Sequence, residues 1–70
     1  MSGNVAYGIG RIVDEKCLRQ SSVARKAGFT PQQFNDMIKG RKLILAEYMP
    51  AIADALGVGV MDIYNAGAGA

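Results

Sequence analysis

Three side-chain amides lie close together near the middle of the chain, at Gln32, Gln33 and Asn35. An amide donates and accepts hydrogen bonds at once, so glutamine and asparagine can bind adenine through two hydrogen bonds in the major groove of DNA. The amides follow Thr30-Pro31, a pair typical of a helix start. We therefore expect a helix with amides near its N-terminal end, where free backbone N–H groups and the helix dipole also favour phosphate.

Basic residues are concentrated around these amides. The segment from Lys16 to Lys42 holds seven basic residues and one acidic residue, Asp36, for a net charge of +6, whereas the rest of the chain has a net charge of −4. This division can steer a small domain toward a polyanion, although chance clustering on a solvated surface would give the same pattern. The basic candidates for phosphate contacts are Arg19, Arg25, Lys26, Arg41 and Lys42.

The composition excludes several kinds of chemistry. The chain has no histidine and a single cysteine, Cys17, so the usual zinc ligand set and a histidine general base are both excluded. A single cysteine also suits a reducing compartment, and we expect Cys17 to be a buried small hydrophobe rather than a redox sensor. Since no nucleophile–base pair appears either, we expect neither an enzyme nor a metal or other cofactor.

Length and hydropathy predict one soluble, cytoplasmic domain. Seventy residues make one domain at most, and half of them are apolar, as in ordinary globular domains. No apolar run approaches the ~18 residues of a membrane span, and no signal-peptide pattern follows Met1. We expect the domain to cover residues 1–66 and the Gly/Ala segment 67–70 to be a flexible tail.

Apolar spacing predicts an all-α fold of four to five short helices. The expected bounds are Asn4 (as N-cap) to about Lys16, Ser21 (capped by a serine or glutamine) to Ala27, Thr30 (as N-cap) to Gly40, Met49 or Pro50 to Gly57, and Val60 to Tyr64. Gly8 and Gly10 weaken the first helix. The residues expected in the core are Ile9, Ile12, Val13, Val23, Ala24, Ala27, Phe34, Met37, Ile38, Ile52, Ala53, Leu56, Met61, Ile63 and Tyr64.

The second and third helices are joined only by Gly28-Phe29-Thr30. Two short helices with so tight a turn cross at a steep angle, which leaves the later helix protruding. Small Ala24 allows a close crossing, and Gln33 stands at the reciprocal position of a capping box with Thr30. This is the pattern of a helix-turn-helix, whose second helix enters the major groove of DNA.

The connection Arg41–Tyr48 contains the apolar run Leu43-Ile44-Leu45. Periodicity leaves open whether this run is extended or a helical turn. It could fill the core or form a dimer surface, and we favour the core.

The run from Gln20 to Gly40, QSSVARKAGFTPQQFNDMIKG, resembles the helix-turn-helix of the lambdoid phage repressor and Cro class, also called the XRE family. The segments Tyr48–Val58 and Met61–Tyr64 are similar to the fourth helix and the start of the fifth helix of that family, so the likeness covers roughly residues 5–65. The resemblance implies a lambda repressor-like five-helix bundle that binds palindromic operators, usually as a dimer, with its third helix in the major groove.

The resemblance also implies that Thr30, Pro31, Gln32 and Asp36 face the bases and that Gln20 lies near the phosphates. Pro31 cannot donate a hydrogen bond, and Asp36 could either accept from cytosine or repel DNA. Cys17 stands where the family often has glycine, which we interpret as a packing difference. The complete set of candidate DNA-binding residues is Gln20, Thr30, Pro31, Gln32, Gln33, Asn35, Asp36, Lys39, Arg41 and Lys42.

Two functions are compatible with these patterns. The first is sequence-specific binding of double-stranded DNA by a transcriptional repressor of a bacterium, phage or other mobile element. The second is a protein-interaction module, such as an antitoxin or regulatory subunit, with secondary DNA contact; the apolar run 43–45 and Asp36 favour it. Steep salt dependence of duplex affinity would favour the first.

Overall fold

A computed structural model describes the backbone of residues 2–68 and the side chains of residues 5–68. The elements in chain order are α1 (Ser2–Glu15), α2 (Gln20–Ala27), α3 (Pro31–Ile38), a 3-10 turn (Ala46–Tyr48), α4 (Met49–Leu56) and α5 (Val60–Ala68). The described part of the chain contains no strand, so the predicted all-α class is confirmed. Within it, no helix is long and apolar enough to cross a membrane.

One apolar core joins the helices. Phe34 and Met37 of α3, Ile9 of α1, Ile52 of α4 and Ile63 of α5 are fully buried. The other buried apolar residues are Ala6, Ile12, Val13, Val23, Ala24, Met49, Ala53 and Leu56. The predicted core is confirmed at most positions, whereas Ala27 and Ile38 are half-buried. No buried side-chain N or O atom of the described residues lacks a hydrogen-bond partner.

The start of α1 differs from the prediction. The helix begins at Ser2 rather than after a cap at Asn4, and it continues through Gly8 and Gly10. A Cβ at Gly8 would collide with the carbonyl oxygen of Ile63 and lie 2.9 Å from the amide nitrogen of Gly67. Gly8 is therefore compatible with a helix here because its missing side chain lets α1 and α5 touch backbone to backbone.

α5 is longer than predicted. It extends from Val60 to Ala68 rather than stopping at Tyr64, and Gly67 is buried. Residues 67 and 68, which we expected in a flexible tail, are the last residues of α5, and Gly67 lies against Gly8 of α1; residues 69 and 70 lie outside the described part. Met61 and Tyr64 were also predicted to close the core, but they are 67% and 43% exposed, and of the three residues predicted there only Ile63 is buried.

Four helix ends share one hydrogen-bond pattern. After α2, the N–H of Gly28 donates to the carbonyl of Arg25 and that of Phe29 to the carbonyl of Ala24, which is the Schellman motif. The residues with positive φ in these four turns are Cys17, Gly28, Gly40 and Gly57. The predicted stops at the three glycines are thus confirmed.

Cys17 is not the buried residue that we expected. It is exposed and has a φ of +54° in the turn after α1. A positive φ favours glycine, so the departure at Cys17 that we interpreted as packing concerns the backbone of this turn instead. The start of α2 differs too, since Arg19 is its N-cap and makes no side-chain capping bond.

Candidate nucleic-acid interface

A reciprocal capping box closes the first turn of α3. The N–H of Gln33 donates to Oγ1 of Thr30 at 3.1 Å, and the N–H of Thr30 donates to Oε1 of Gln33 at 3.0 Å. Pro31 occupies the first turn, where its missing N–H leaves no bond unmade. The predicted capping box is confirmed. Because Oε1 of Gln33 accepts from the backbone, the amide of Gln33 is held at the helix start and its oxygen keeps one acceptor position for another partner.

A buried stripe fixes the side of α3 that faces solvent. Phe34 and Met37 are fully buried, and Ala24 of α2 is fully buried where the two helices pack. Phe29 lies in the turn between the helices and packs edge-to-face on Tyr48, with 5.1 Å between ring centroids and 73° between planes. Aromatic pairs favour this geometry. The turn and the stripe together hold α3 as a rigid unit with an outward polar face.

That outward face carries the side chains singled out from the sequence. Pro31, Gln32, Gln33 and Lys39 are exposed, whereas Asn35 and Asp36 are half-buried. Thr30 is also exposed at the helix start. The first turn of α3 therefore offers the most accessible polar groups, whereas Asn35 and Asp36, nearer the C-terminal end of the helix, are less accessible.

Gln20 and Asn35 connect α2 to α3. Nε2 of Gln20 donates to Oδ1 of Asn35 at 3.1 Å in a half-buried position. We expected Asn35 to present its amide freely to a base. In this structure its oxygen instead accepts from Gln20 and links the start of α2 to the middle of α3, so one of the two acceptor positions of that oxygen is already occupied.

Gln32, Asp36 and Arg41 form a chain of polar contacts along α3. Nε2 of Gln32 donates to Oδ1 of Asp36 at 3.0 Å, and Nη1 of Arg41 lies 3.8 Å from the same oxygen. The Arg41 side chain is 70% exposed and that of Asp36 is 30% exposed, so solvent screens the ion pair and little stability follows from it. The contacts matter for Asp36 itself, because the only carboxylate on α3 has a hydrogen-bond donor and a cation beside it.

The contact between Gln32 and Asp36 could be predicted from the sequence, whereas the contact between Gln20 and Asn35 could not. Gln32 and Asp36 are four residues apart, the spacing at which side chains on a helix are neighbours, so their contact had a signal. Gln20 and Asn35 are fifteen residues apart. Their contact depends on the crossing of α2 and α3, and no local pattern indicated it.

Exposed basic side chains are concentrated on α2, at the end of α3 and in the turns next to these helices. The N–H groups of Arg41 and Lys42 both donate to the carbonyl oxygen of Asp36, at 2.8 and 3.2 Å, which holds the following loop against the end of the helix. The exposed basic residues of this segment are Lys16, Arg19, Arg25, Lys26, Lys39, Arg41 and Lys42. Among residues 5–68, Arg41 is the only one of these seven that lies within 4.0 Å of a carboxylate oxygen. The segment from Lys16 to Lys42 therefore exposes positive charge that the carboxylates of the described residues do not neutralise.

The apolar run after α3 divides between core and solvent. Ile44 is half-buried against the core, whereas Leu43 is 63% and Leu45 is 37% exposed. The expectation that the whole run fills the core is therefore wrong for the two leucines. The run is irregular rather than helical, and an extended backbone turns alternate side chains to opposite sides.

Comparisons with known proteins agree with this architecture. A profile of the Cro/C1-type HTH DNA-binding domain matches residues 9–67. A crystal structure of the clp gene regulator ClgR from Corynebacterium glutamicum is similar at a TM-score of 0.90 and 20% identity, over 97% of this chain and 88% of that one. A second crystal structure of ClgR has a TM-score of 0.89 and 20% identity, over 97% and 72% of the two chains. No curated protein matches.

The two kinds of comparison carry different weight. At 20% identity the likeness to ClgR concerns the fold: the same helices in the same arrangement. The profile match covers most of the chain and includes the complete helix-turn-helix. The resemblance found in the sequence is thereby confirmed, and the chain belongs to the family of Cro/C1-type HTH DNA-binding domains.

Proposed function

We propose that this protein is a bacterial or phage-encoded regulator that acts in the cytoplasm, binding a specific double-stranded DNA sequence and repressing transcription. The observation that carries the proposal is α3 itself. Its first turn presents exposed polar side chains while a buried stripe holds its inner face, and exposed basic side chains flank it along the chain, on α2 and in the loop after α3. The similar structure is that of a clp gene regulator, ClgR, which supports a regulatory role.

In the proposed complex α3 lies in the major groove with its N-terminal turn nearest the bases. Gln32 is the principal base-reading side chain because it is exposed and keeps both a donor and an acceptor. Thr30, Pro31 and Gln33 line the same turn and limit which bases fit. The side chains assigned to phosphate contact are Gln20, Asn35, Lys39, Arg41 and Lys42.

A second copy completes the proposed complex. One α3 spans only a few base pairs, and a two-fold dimer on a palindromic operator doubles the sequence read. The exposed Met61 and Tyr64 on α5 support this arrangement, since they form an apolar surface one helical turn long on the outside of the molecule. Occupation of such an operator would block transcription from an overlapping promoter.

The test is selection from a random duplex pool at about 50 mM and about 200 mM salt. Two variants accompany the native chain. Gln32→Ala removes a proposed base contact and should relax the sequence preference at one base pair. Lys42→Ala removes a proposed phosphate contact, so it should lower the affinity for all sequences equally and make that affinity less dependent on salt. If the selection enriches no sequence and binding is weak even at low salt, the proposal is contradicted.

A protein-interaction module is the second candidate function. The observation that favours it is the pair of exposed leucines in the loop after α3, Leu43 at 63% and Leu45 at 37% exposure. An apolar contact at this loop would persist at high salt, because it does not release counterions. Partner binding that survives about 1 M salt and is lost in Leu43→Glu would favour this function over DNA recognition.

A further inference from the structure

Asp36 is an unexpected residue on the proposed DNA-facing helix. It is the single acidic residue between Lys16 and Lys42, and a carboxylate near phosphate groups weakens DNA binding by like-charge repulsion. Its Oδ1 has two neighbours, Nε2 of Gln32 at 3.0 Å and Nη1 of Arg41 at 3.8 Å. These contacts suggest a role toward Gln32 rather than toward DNA.

The contact determines how the amide of Gln32 is turned. An ionised carboxylate only accepts hydrogen bonds, so the NH₂ end of the amide must face it. Without Asp36, an exposed glutamine could rotate its amide by half a turn and exchange donor for acceptor at little cost. With Asp36, Oε1 and one N–H of Gln32 remain without a partner among the hydrogen bonds of residues 5–68.

The remaining groups define a preference among bases. One acceptor beside one donor matches the exocyclic amine and N7 of adenine. Guanine offers two acceptors at these places and would require two donors. An amide whose orientation is already set also loses less rotational freedom on binding, which favours the matching base.

We propose that Asp36 is a positioning residue, which holds the amide of Gln32 in the orientation that selects adenine and does not itself contact a base. Arg41 keeps the carboxylate in place and offsets part of its charge. The inference rests on the proposed function, since it assigns the specificity of the same helix.

The test compares four variants in the duplex selection. Asp36→Ala should lower discrimination at the base pair read by Gln32 about tenfold, the scale of one good side chain–base contact. Gln32→Ala should act at the same base pair, and the double variant should lose no more than either single variant. Asp36→Asn keeps an oxygen acceptor and should keep most of the preference, while both Asp36 variants raise affinity for all sequences by removing a negative charge.

Glu15→Ala is the matched control. Glu15 is an exposed carboxylate that, like Asp36, is bonded to a residue four positions away, here Arg11 at 2.9 Å, but it lies on α1. Removing it changes the net charge by the same amount as Asp36→Ala and should leave the sequence preference unchanged.

A measurement without DNA separates the inference from the proposed function. In the free protein, the side-chain NH₂ signals of Gln32 in an ¹⁵N–¹H spectrum should shift in Asp36→Ala and stay close to native in Asp36→Asn. Unmoved signals in Asp36→Ala would overturn the positioning role.

Three results of the selection would overturn the inference while leaving the proposed function intact. The first is an Asp36→Ala protein with the base preference of the native chain. The second is an Asp36→Ala protein whose preference changes at a base pair that Gln32→Ala does not affect. The third is an equal loss of base discrimination in Asp36→Ala and Asp36→Asn. A native chain that selects no sequence would instead overturn the proposed function and the specificity role together, whatever the NH₂ signals show.

Discussion

Cys17 has the backbone conformation of the glycines at the other three helix ends. Its φ is +54°, its side chain is exposed, and its turn has the same hydrogen bonds as those at Gly28, Gly40 and Gly57. The left-handed conformation costs an L-residue roughly 1–2 kcal/mol, and glycine avoids that cost but loses more backbone entropy on folding. Cys17→Gly should therefore stabilise the domain by about 0.5–1 kcal/mol, measured as a higher midpoint of urea unfolding.

Cys17→Ala is the control for this prediction at the residue scale. Alanine removes the thiol but keeps the Cβ that disfavours a positive φ, so its unfolding midpoint should not rise. Equal midpoints for the glycine and alanine variants would mean that the conformation at residue 17 stores no strain. The sequence carried one signal for this site, the glycine that the resemblance implies at residue 17, but we interpreted it as packing because a lone cysteine is usually buried.

The elements were predictable where their signals are local. Thr30, Pro31 and Gln33 indicated the start of α3, and the glycines after α2 and α4 indicated where those helices stop. The start of α1 and the length of α5 could not be predicted this way, because Gly8 and Gly67 disfavour a helix by propensity. Both residues are helical because the two helices approach each other there, a contact between distant parts of the chain.

Gly8 and Gly10 give a matched pair for testing that contact between elements. A Cβ at Gly8 would collide with backbone atoms of α5, whereas a Cβ at Gly10 would meet only Cγ2 of Ile38, at 3.6 Å. Gly8→Ala should destabilise the domain by about 1–3 kcal/mol through overpacking. Gly10→Ala should be neutral or stabilise it by up to about 1 kcal/mol, since alanine favours the helix.

Thermal or urea unfolding of the two variants checks the prediction. A Gly8→Ala protein as stable as the native chain would mean that α1 and α5 separate without cost. Such a result would remove the reason for the helical conformation of Gly67.

At the scale of the whole molecule, the charge division in the sequence indicated the proposed DNA-binding side. The seven basic residues from Lys16 to Lys42 are all exposed, and their clustering along the chain needed no tertiary information because the segment that carries them is continuous. What could not be predicted is which polar groups of this surface are already paired. Asn35 looked free in the sequence, but its oxygen accepts from Gln20, a contact that exists only after α2 and α3 have packed.

The proposed dimer gives a prediction for the molecule as an assembly. Met61 is 67% exposed on α5, so Met61→Glu should leave the fold of the single chain intact. If a second copy covers this surface, the substitution buries an unpaired carboxylate, which makes the free energy of association less favourable by more than roughly 1–2 kcal/mol. Affinity for a selected palindrome should then fall by at least about tenfold, while affinity for a half-site should change no more than in the control.

Leu43→Glu is that control, because Leu43 is 63% exposed and the substitution adds the same charge on a different surface. Sedimentation equilibrium of both variants, alone and with the palindrome, distinguishes the possible interfaces. Loss of the two-to-one complex in Met61→Glu alone would support α5 as the contact between copies. Loss in Leu43→Glu alone would assign the contact to the loop after α3, and a single chain per palindrome in the native protein would contradict the dimer.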